Sequence, residues 1–234
     1  MNIDATPAND GEVLLVNKPL TWTSTDVVRK LKGILKVKKI GHAGTLDPLA
    51  TGLLIICTGK KTKTIPFIQE EEKEYTGTFY LGATTPSFDK ETEHDATFDI
   101  SGITNAKILE AVEKLKGHQL QTPPMFSAVK VNGKRAYAIA RKGETVELKS
   151  KPIEIKEFEI SRMALPEIDF RIVCTKGTYI RSIARDLGEL LNNGAYLTKL
   201  VRTRIGPHLL SKASEIESFK SVTSDHSKEQ STNF

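Results

Sequence analysis

Strand and helix periodicities alternate along this chain without settling into a βαβ repeat, and that mixture decides the fold class before any motif is considered. EVLLVN (12–17) reads as a strand, and TSTDVVRKLKGILK as an amphipathic helix with Thr23 as N-cap and Val27, Leu31, Ile34 and Leu35 on one face. LLIIC (53–57) is a short, wholly apolar strand. YTGTFYLG (75–82) sets Tyr75, Gly77, Phe79 and Leu81 on one side against Thr76, Thr78 and Tyr80 on the other. TNAKILEAVEKLKG (104–117) predicts a capped helix ending at Gly117, and IDFRIVC (168–174) has a period of two. TYIRSIARDLGELLNNG (178–194) spaces Ile180, Ile183, Leu187 and Leu191 as one helical stripe, and YLTKLVRTRIG follows as a strand. The class predicted is α+β, with a mixed or antiparallel central sheet flanked by helices and basic loops.

Composition sets outer bounds. The chain has 234 residues, 38% of them hydrophobic and 27% charged, which is ordinary for a globular protein with a sizeable core. MNIDATPANDGEV has neither a basic leader nor an apolar run, and no stretch approaches the roughly 18 apolar residues that cross a bilayer. A cytoplasmic protein without a membrane partner is expected. Cys57 and Cys174 each lie in apolar strand-like runs, as buried reduced thiols do. His42, His94, His118, His208 and His226 show no metal-ligand spacing, so no metal is expected. SVTSDHSKEQSTNF at the end has too little apolar surface to fold and reads as a solvated tail.

Cations cluster in two acid-free runs: Arg29, Lys30, Lys32, Lys36, Lys38 and Lys39, then Lys130, Lys134, Arg135, Arg141 and Lys142. One such run is usually a solvated helix face; two, set beside glycine-rich or VNGK turns, favour a surface for a phosphate backbone. Between them, GHAGTLDPLATGLL (41–54) isolates one acid, Asp47. Pro48 restrains its predecessor to extended geometry, while Gly41, Gly44 and Gly52 allow a tightly turned loop close to a ligand. GHAGT lacks the Gly-Lys-Ser/Thr ending of a P-loop, and spacing alone leaves Asp47 open as a simple turn cap.

GHAGTLDPLATGLL resembles the catalytic segment of the TruB-type tRNA pseudouridine synthases. VNKPLTWTS (16–24), KEYTGTFYLGATTPSFD (73–89), QTPPMFSAVKVNGKRAYAIARKGE (121–144) and CTKGTYIRSIARDLGELLNNGAYLTKL (174–200) resemble that family's other blocks in the same order. The resemblance implies the pseudouridine-synthase fold and a cofactor-free isomerase, acting as a monomer on the T arm of tRNA to convert the uridine at position 55 of the T loop. By position, Asp47 is the essential carboxylate. Tyr75 stacks on the extruded uracil, Tyr179 is the pocket tyrosine, Arg181 pairs with Asp47 and Leu200 walls the pocket. His42 supports displaced nucleotides, and Lys18 and Lys63 occupy lysine positions of two motifs. Residues 1–11 are then a flexible start and 12–206 the catalytic domain. Within it 123–151 form a mobile thumb whose Lys130, Lys134, Arg135, Arg141 and Lys142 meet RNA, and 207–234 are a short extension with a disordered end, in place of the RNA-binding domain of longer relatives.

Two departures stand out: Thr21 where the family usually carries glycine, and Phe126 where it carries tyrosine. The bland readings are a half-buried Tyr75, an Arg181 paired in solvent with Asp186 or Glu189, and Leu200 as plain core. Two other functions stay open, a non-catalytic module that binds or folds tRNA and a sibling enzyme acting on another structured RNA.

Overall fold

The computed structural model describes residues 10–131 and 133–220, so the expectations for the extreme start and the polar tail lie outside the described residues. In chain order the elements are β1 (Val13–Lys18), α1 (Ser24–Leu35), β2 (Ile40–His42), β3 (Ala50–Thr58), α2 (Ile65–Glu70), β4 (Lys73–Leu81), β5 (Ala83–Thr84) and β6 (Ala96–Thr97). There follow α3 (Asn105–Lys114), β7 (Gly117–Gln121), β8 (Lys130–Val131), β9 (Lys134–Arg135), α4 (Ala136–Ala140), β10 (Lys151–Ala164), β11 (Glu167–Cys174), α5 (Ile180–Leu190), β12 (Ala195–Ile205) and β13 (His208–Leu209). They fall into two compact units, one made of residues up to Lys73 and from Val201 onward, the other of Glu74–Leu200.

The first unit is built around β3, which pairs antiparallel with β1 and β2. The apolar run predicted at 53–57 is apolar because both faces of the strand are covered. Leu54 and Ile56 pack with Val16, Val27, Leu31 and Ile216, while Leu53, Ile55 and Cys57 pack with Ala43 and Ile205. Helix α1 starts where the sequence predicts: the Thr23 hydroxyl accepts from the Asp26 amide at 3.1 Å, and the Asp26 carboxylate accepts from the Thr23 amide at 3.0 Å. It stops at Lys36, which is left-handed at φ 52°. On the side of β1 away from β3 lies the segment around Ser214, whose amide donates to Leu15 O and whose carbonyl accepts from the Asn17 amide.

The second unit orders its strands β12-β4-β11-β10-β7, with β10 antiparallel to both β11 and β7. Phe79 stacks on Phe170 at 4.0 Å between ring centroids, and Phe158 meets both edge-on at 6.4 Å. Gly77 in β4 is bare because a Cβ there would lie 2.2 Å from the Lys199 carbonyl oxygen and 2.7 Å from the Phe170 ring. Helix α5 buries Ile180, Ile183 and Leu187 of the stripe its sequence predicts, while Leu191, the fourth, is its half-buried C-cap. Two differences from the sequence reading emerge here. The helix predicted to Gly117 ends at Lys114, and Gly117, at φ 87°, opens β7 instead. The longest strand, β10, has no counterpart among the predicted elements, because register shifts after Ile155 and Ile160 break its alternation. The architecture is α+β, a sheet flanked by helices, as the sequence predicts.

Candidate active site

Asp47 sits in a turn closed by the Ala50 amide donating to its own carbonyl at 3.1 Å. The loop around it is held from both sides by groups of the first unit. Ser24, fully inside at the start of α1, accepts from the Leu46 amide at 2.9 Å and donates to the Leu46 carbonyl at 3.2 Å. The Thr21 amide donates to Pro48 O at 2.8 Å. Arg202 of β12, 1% exposed, donates to the carbonyls of Leu53, Thr45 and Gly44 at 2.8, 3.3 and 3.1 Å. Lys18 is 0% exposed and donates to the carbonyls of Trp22, Pro19 and Pro48 at 2.6, 2.8 and 3.4 Å. Burial pushes its ammonium down to about 8, opposed by the Asp47 carboxylate and aided by Arg202. Lys18 was expected to meet substrate; its charge is instead turned onto backbone oxygens beneath this loop.

The glycines of the loop make its tight turns. Gly44 and Gly52 are left-handed at φ 97° and 100°, and a Cβ on Gly52 would lie 2.4 Å from the Arg202 carbonyl oxygen. At Gly52 the close approach that glycine permits is to the backbone of β12. Thr21, where the family favours glycine, stands at φ 70°, a conformation in which glycine is unstrained and a β-branched residue is not. His42 ends β2; burial pushes its imidazole down, opposed in part by a backbone bond with Gly44, so it is neutral near pH 7. Lys63 is exposed in the 3-10 turn Gly59–Thr64. That turn joins the 29–39 cluster: the Gly59 amide donates to Lys39 O at 2.9 Å, bringing exposed Lys36, Lys38 and Lys39 near Lys60, Lys61 and Lys63. Within these runs Arg29 is paired with Asp26 and Lys60 with Asp10.

In the second unit Tyr75 is 9% exposed on β4 and Leu200 8% exposed on β12. Tyr179 caps α5, and its peptide is gripped by one buried side chain. Gln121 Oε1 accepts from the Tyr179 amide at 2.8 Å, and Gln121 Nε2 donates to the Tyr179 carbonyl at 3.2 Å. Arg181 is 4% exposed, so the solvent-facing alternative is wrong for it; Arg185 is the residue that meets Asp186 and Glu189. Arg181 donates to Ser87 O and Phe126 O at 3.2 and 2.9 Å and lies 3.5 Å from the Asp89 carboxylate. Asp89 is fixed in turn by Ser87 Oγ at 2.6 Å and the Glu91 amide at 2.9 Å. Because Phe126 contributes its carbonyl here, the absence of a tyrosine hydroxyl leaves this bond intact.

The basic segment 123–151 forms the hairpin β8–β9, turned at Gly133 with φ 80°, and the short helix α4. Lys130, Lys134, Arg135 and Lys142 are exposed. Arg141 is exposed too, 2.8 Å from Glu91 and over the Tyr137 ring at 5.6 Å. Sequence reasoning missed Ser24 and Arg202 around the Asp47 loop of the first unit, and Asp89 and Gln121 around Arg181 and Tyr179 of the second. Arg202 had one visible sign, an arginine two positions from Leu200 and so in the inward register of its strand. Among the described residues no group of three or more His, Cys, Asp or Glu side chains is arranged to hold a metal, and no helix is long and apolar enough to cross a membrane.

Comparison with known proteins fits this geometry. Residues 32–180 match the model for the TruB family pseudouridylate synthase N-terminal domain. The chain is 55% identical over 218 residues to a tRNA pseudouridine synthase B of Flavobacterium johnsoniae, covering 90% of this chain and 95% of that one. It is 48% identical to the protein of that name from Chlorobaculum tepidum over 90% of both chains. Among solved structures it superposes on a chain of a Cbf5-Nop10-Gar1 complex with TM-score 0.73 and 25% identity, spanning 94% of its own length but 57% of that chain. With relatives this similar across nearly their whole length, the chain belongs to the TruB family of pseudouridylate synthases, and it is an isomerase.

Proposed function

We propose that this protein converts uridine to pseudouridine at position 55 in the T loop of tRNA, with Asp47 as its essential carboxylate. The observation that carries the reading is the frame around Asp47. A residue that merely caps a turn needs one hydrogen bond, whereas this loop is fastened through Leu46, Pro48, Thr45 and Gly44 by the side chains of Ser24, Lys18 and Arg202 and the amide of Thr21. Such rigidity suits a group that must meet a sugar carbon at a fixed distance. The tRNA-modifying names of its relatives favour the same substrate.

The reaction breaks the N1–C1′ bond, turns the uracil, joins C5 to C1′, and moves the C5 proton to solvent while N1 gains one. A uridine stacked in a folded loop is out of reach at C1′ and C5 together, so it is flipped out, at a cost of a few kcal/mol. Tyr75 offers an aromatic face worth about 1–3 kcal/mol of stacking. Asp47 serves at the sugar as nucleophile, as base at C2′, or as stabiliser of positive charge at C1′. Arg181 and Tyr179 serve the pocket, Leu200 keeps it dry, and His42, neutral, meets displaced nucleotides. Lys63 and the hairpin cations Lys130, Lys134, Arg135 and Lys142 hold the phosphate backbone.

The test is direct: incubate the protein with unmodified tRNA transcript without added cofactor and map pseudouridine chemically. Product at position 55, abolished in Asp47→Asn with tRNA affinity within a few-fold, is expected. Turnover retained in Asp47→Asn refutes the carboxylate role; product elsewhere refutes the site; binding without product favours a module that only folds RNA.

A further inference from the structure

We infer that Arg202 is a positioning residue for the reaction, a buried guanidinium that fixes the backbone of the Asp47 loop without touching substrate. This rests on the role proposed above for Asp47. Three observations carry it. First, Arg202 is 1% exposed and its fork spans both arms of the loop, reaching Thr45 and Gly44 on the approach and Leu53 on the exit. Those bonds set the path of the chain two and three residues before Asp47.

Second, among the described residues no carboxylate lies within 4.0 Å of the Arg202 side chain, so carbonyl oxygens alone satisfy it. A buried arginine is almost always paired with an acid, because desolvation of the charge is otherwise uncompensated. An arginine held only by backbone oxygens is an expensive way to stabilise a strand, where a leucine would serve. Its worth lies in the shape of what it binds. Third, the loop is shaped around it: a Cβ on Gly52 would strike the Arg202 backbone at 2.4 Å, and one on Gly44, left-handed like Gly52, would touch the guanidinium at ordinary contact distance, so a side chain there is strained by its backbone and not by the arginine. The arginine and the two glycines form one interlocked unit.

Lysine at 202 keeps the charge but cannot reach three carbonyls with the planar fork. The loop should then relax by a fraction of an ångström to an ångström, and displacement of that size costs about 100-fold in rate when the moved group does the chemistry. KM, set by interactions elsewhere, should stay within about threefold.

The experiment measures kcat and KM per folded molecule, on unmodified tRNA transcript and well below each melting temperature, for Arg202→Lys, Gly44→Ala, the double variant and Asp47→Asn. Gly44→Ala disturbs the same loop from its other side while leaving Arg202 in place. The expected result is a kcat loss of about 100-fold in each single variant with KM nearly unchanged, and a double variant within about threefold of the worse single, as coupled neighbours behave. Arg202→Lys with kcat within threefold of the parent overturns the inference, as do losses that multiply in the double variant. If Asp47→Asn itself turns over, the underlying reading has failed instead, and the two failures are separate.

Discussion

Thr21 offers a sharp test of how this site is supported, because its residue type and its backbone disagree. It stands at φ 70° with its side chain exposed, and its amide is tied to Pro48 beside Asp47. A left-handed L-residue is disfavoured by about 1–2 kcal/mol. Glycine lifts that strain but loosens the unfolded chain by about 0.4–1 kcal/mol. The exposed side chain adds little on the other side, so Thr21→Gly should gain about 0.5–1 kcal/mol. For a chain of this length that is a rise in melting temperature of about 1–4 °C. Thr21→Ala is the control: it removes the branch but keeps the Cβ that causes the strain, and should gain much less. Thermal unfolding of the three proteins, with kcat measured alongside, decides the matter. A loss of more than about 1 kcal/mol in Thr21→Gly would refute the reasoning, for it would mean that the threonine side chain holds the loop and the backbone carries no strain.

Gly52→Ala should act in the opposite direction, since its Cβ would lie 2.4 Å from the Arg202 carbonyl oxygen; we expect a loss of about 3 kcal/mol or more, and a melting temperature unchanged within about 2 °C would contradict the packing described. Lys18 sets a pH dependence. Its ammonium ionises at about 8 when buried and at 10.5 when free, so the unfolded chain holds the extra proton between those values and stability rises with pH across that window, by at most about 3 kcal/mol. Urea unfolding at several pH values should show this rise in the parent and its absence in Lys18→Met; parallel curves would mean that the ammonium is solvated. Replacing Lys134, Arg135, Arg141 and Lys142 together by alanine should weaken tRNA binding and reduce the slope of log affinity against log salt by about one for each phosphate left unneutralised. With Arg141 already paired to Glu91, most of the effect should come from the other three, and unchanged affinity and slope would remove this hairpin from the RNA surface.

What was legible in the sequence was local. Helix α1 could be read to its first residue because a capping box and an apolar face are patterns within a few positions, and β3 because burial on both faces leaves an unbroken apolar run. Strand β10 was hidden because its inward residues, Ile153, Ile155 and Phe158, fall out of step where the register shifts. The site divides in the same way. Asp47, Tyr75, Tyr179 and Arg181 lie in motifs that can be matched by eye; Ser24, Asp89 and Gln121 lie in the same blocks but carry no local sign of what they hold, and Arg202 lies outside them. Arg202 reaches carbonyls 149 to 158 positions away, and Gln121 grips a peptide 58 positions away, pairings that leave no pattern in the chain. The glycines were rightly singled out as sites of close approach, but which partner approaches is decided only by the fold.

The short stretch around Ser214 has a bearing on how the protein could be shortened. It occupies the outer rim of β1 with two backbone bonds, adds a 2.7 Å bond from Asn17 to Glu215, and tucks Ile216 under α1. A chain cut after Gly206 would therefore bare the Leu15 carbonyl and the Asn17 amide on the rim of β1 beside an opened apolar seam, a place where a strand of another molecule can add. Light scattering of such a fragment against concentration should show association that the longer chain does not, and a fragment that stays monomeric would mean that this rim needs no cover.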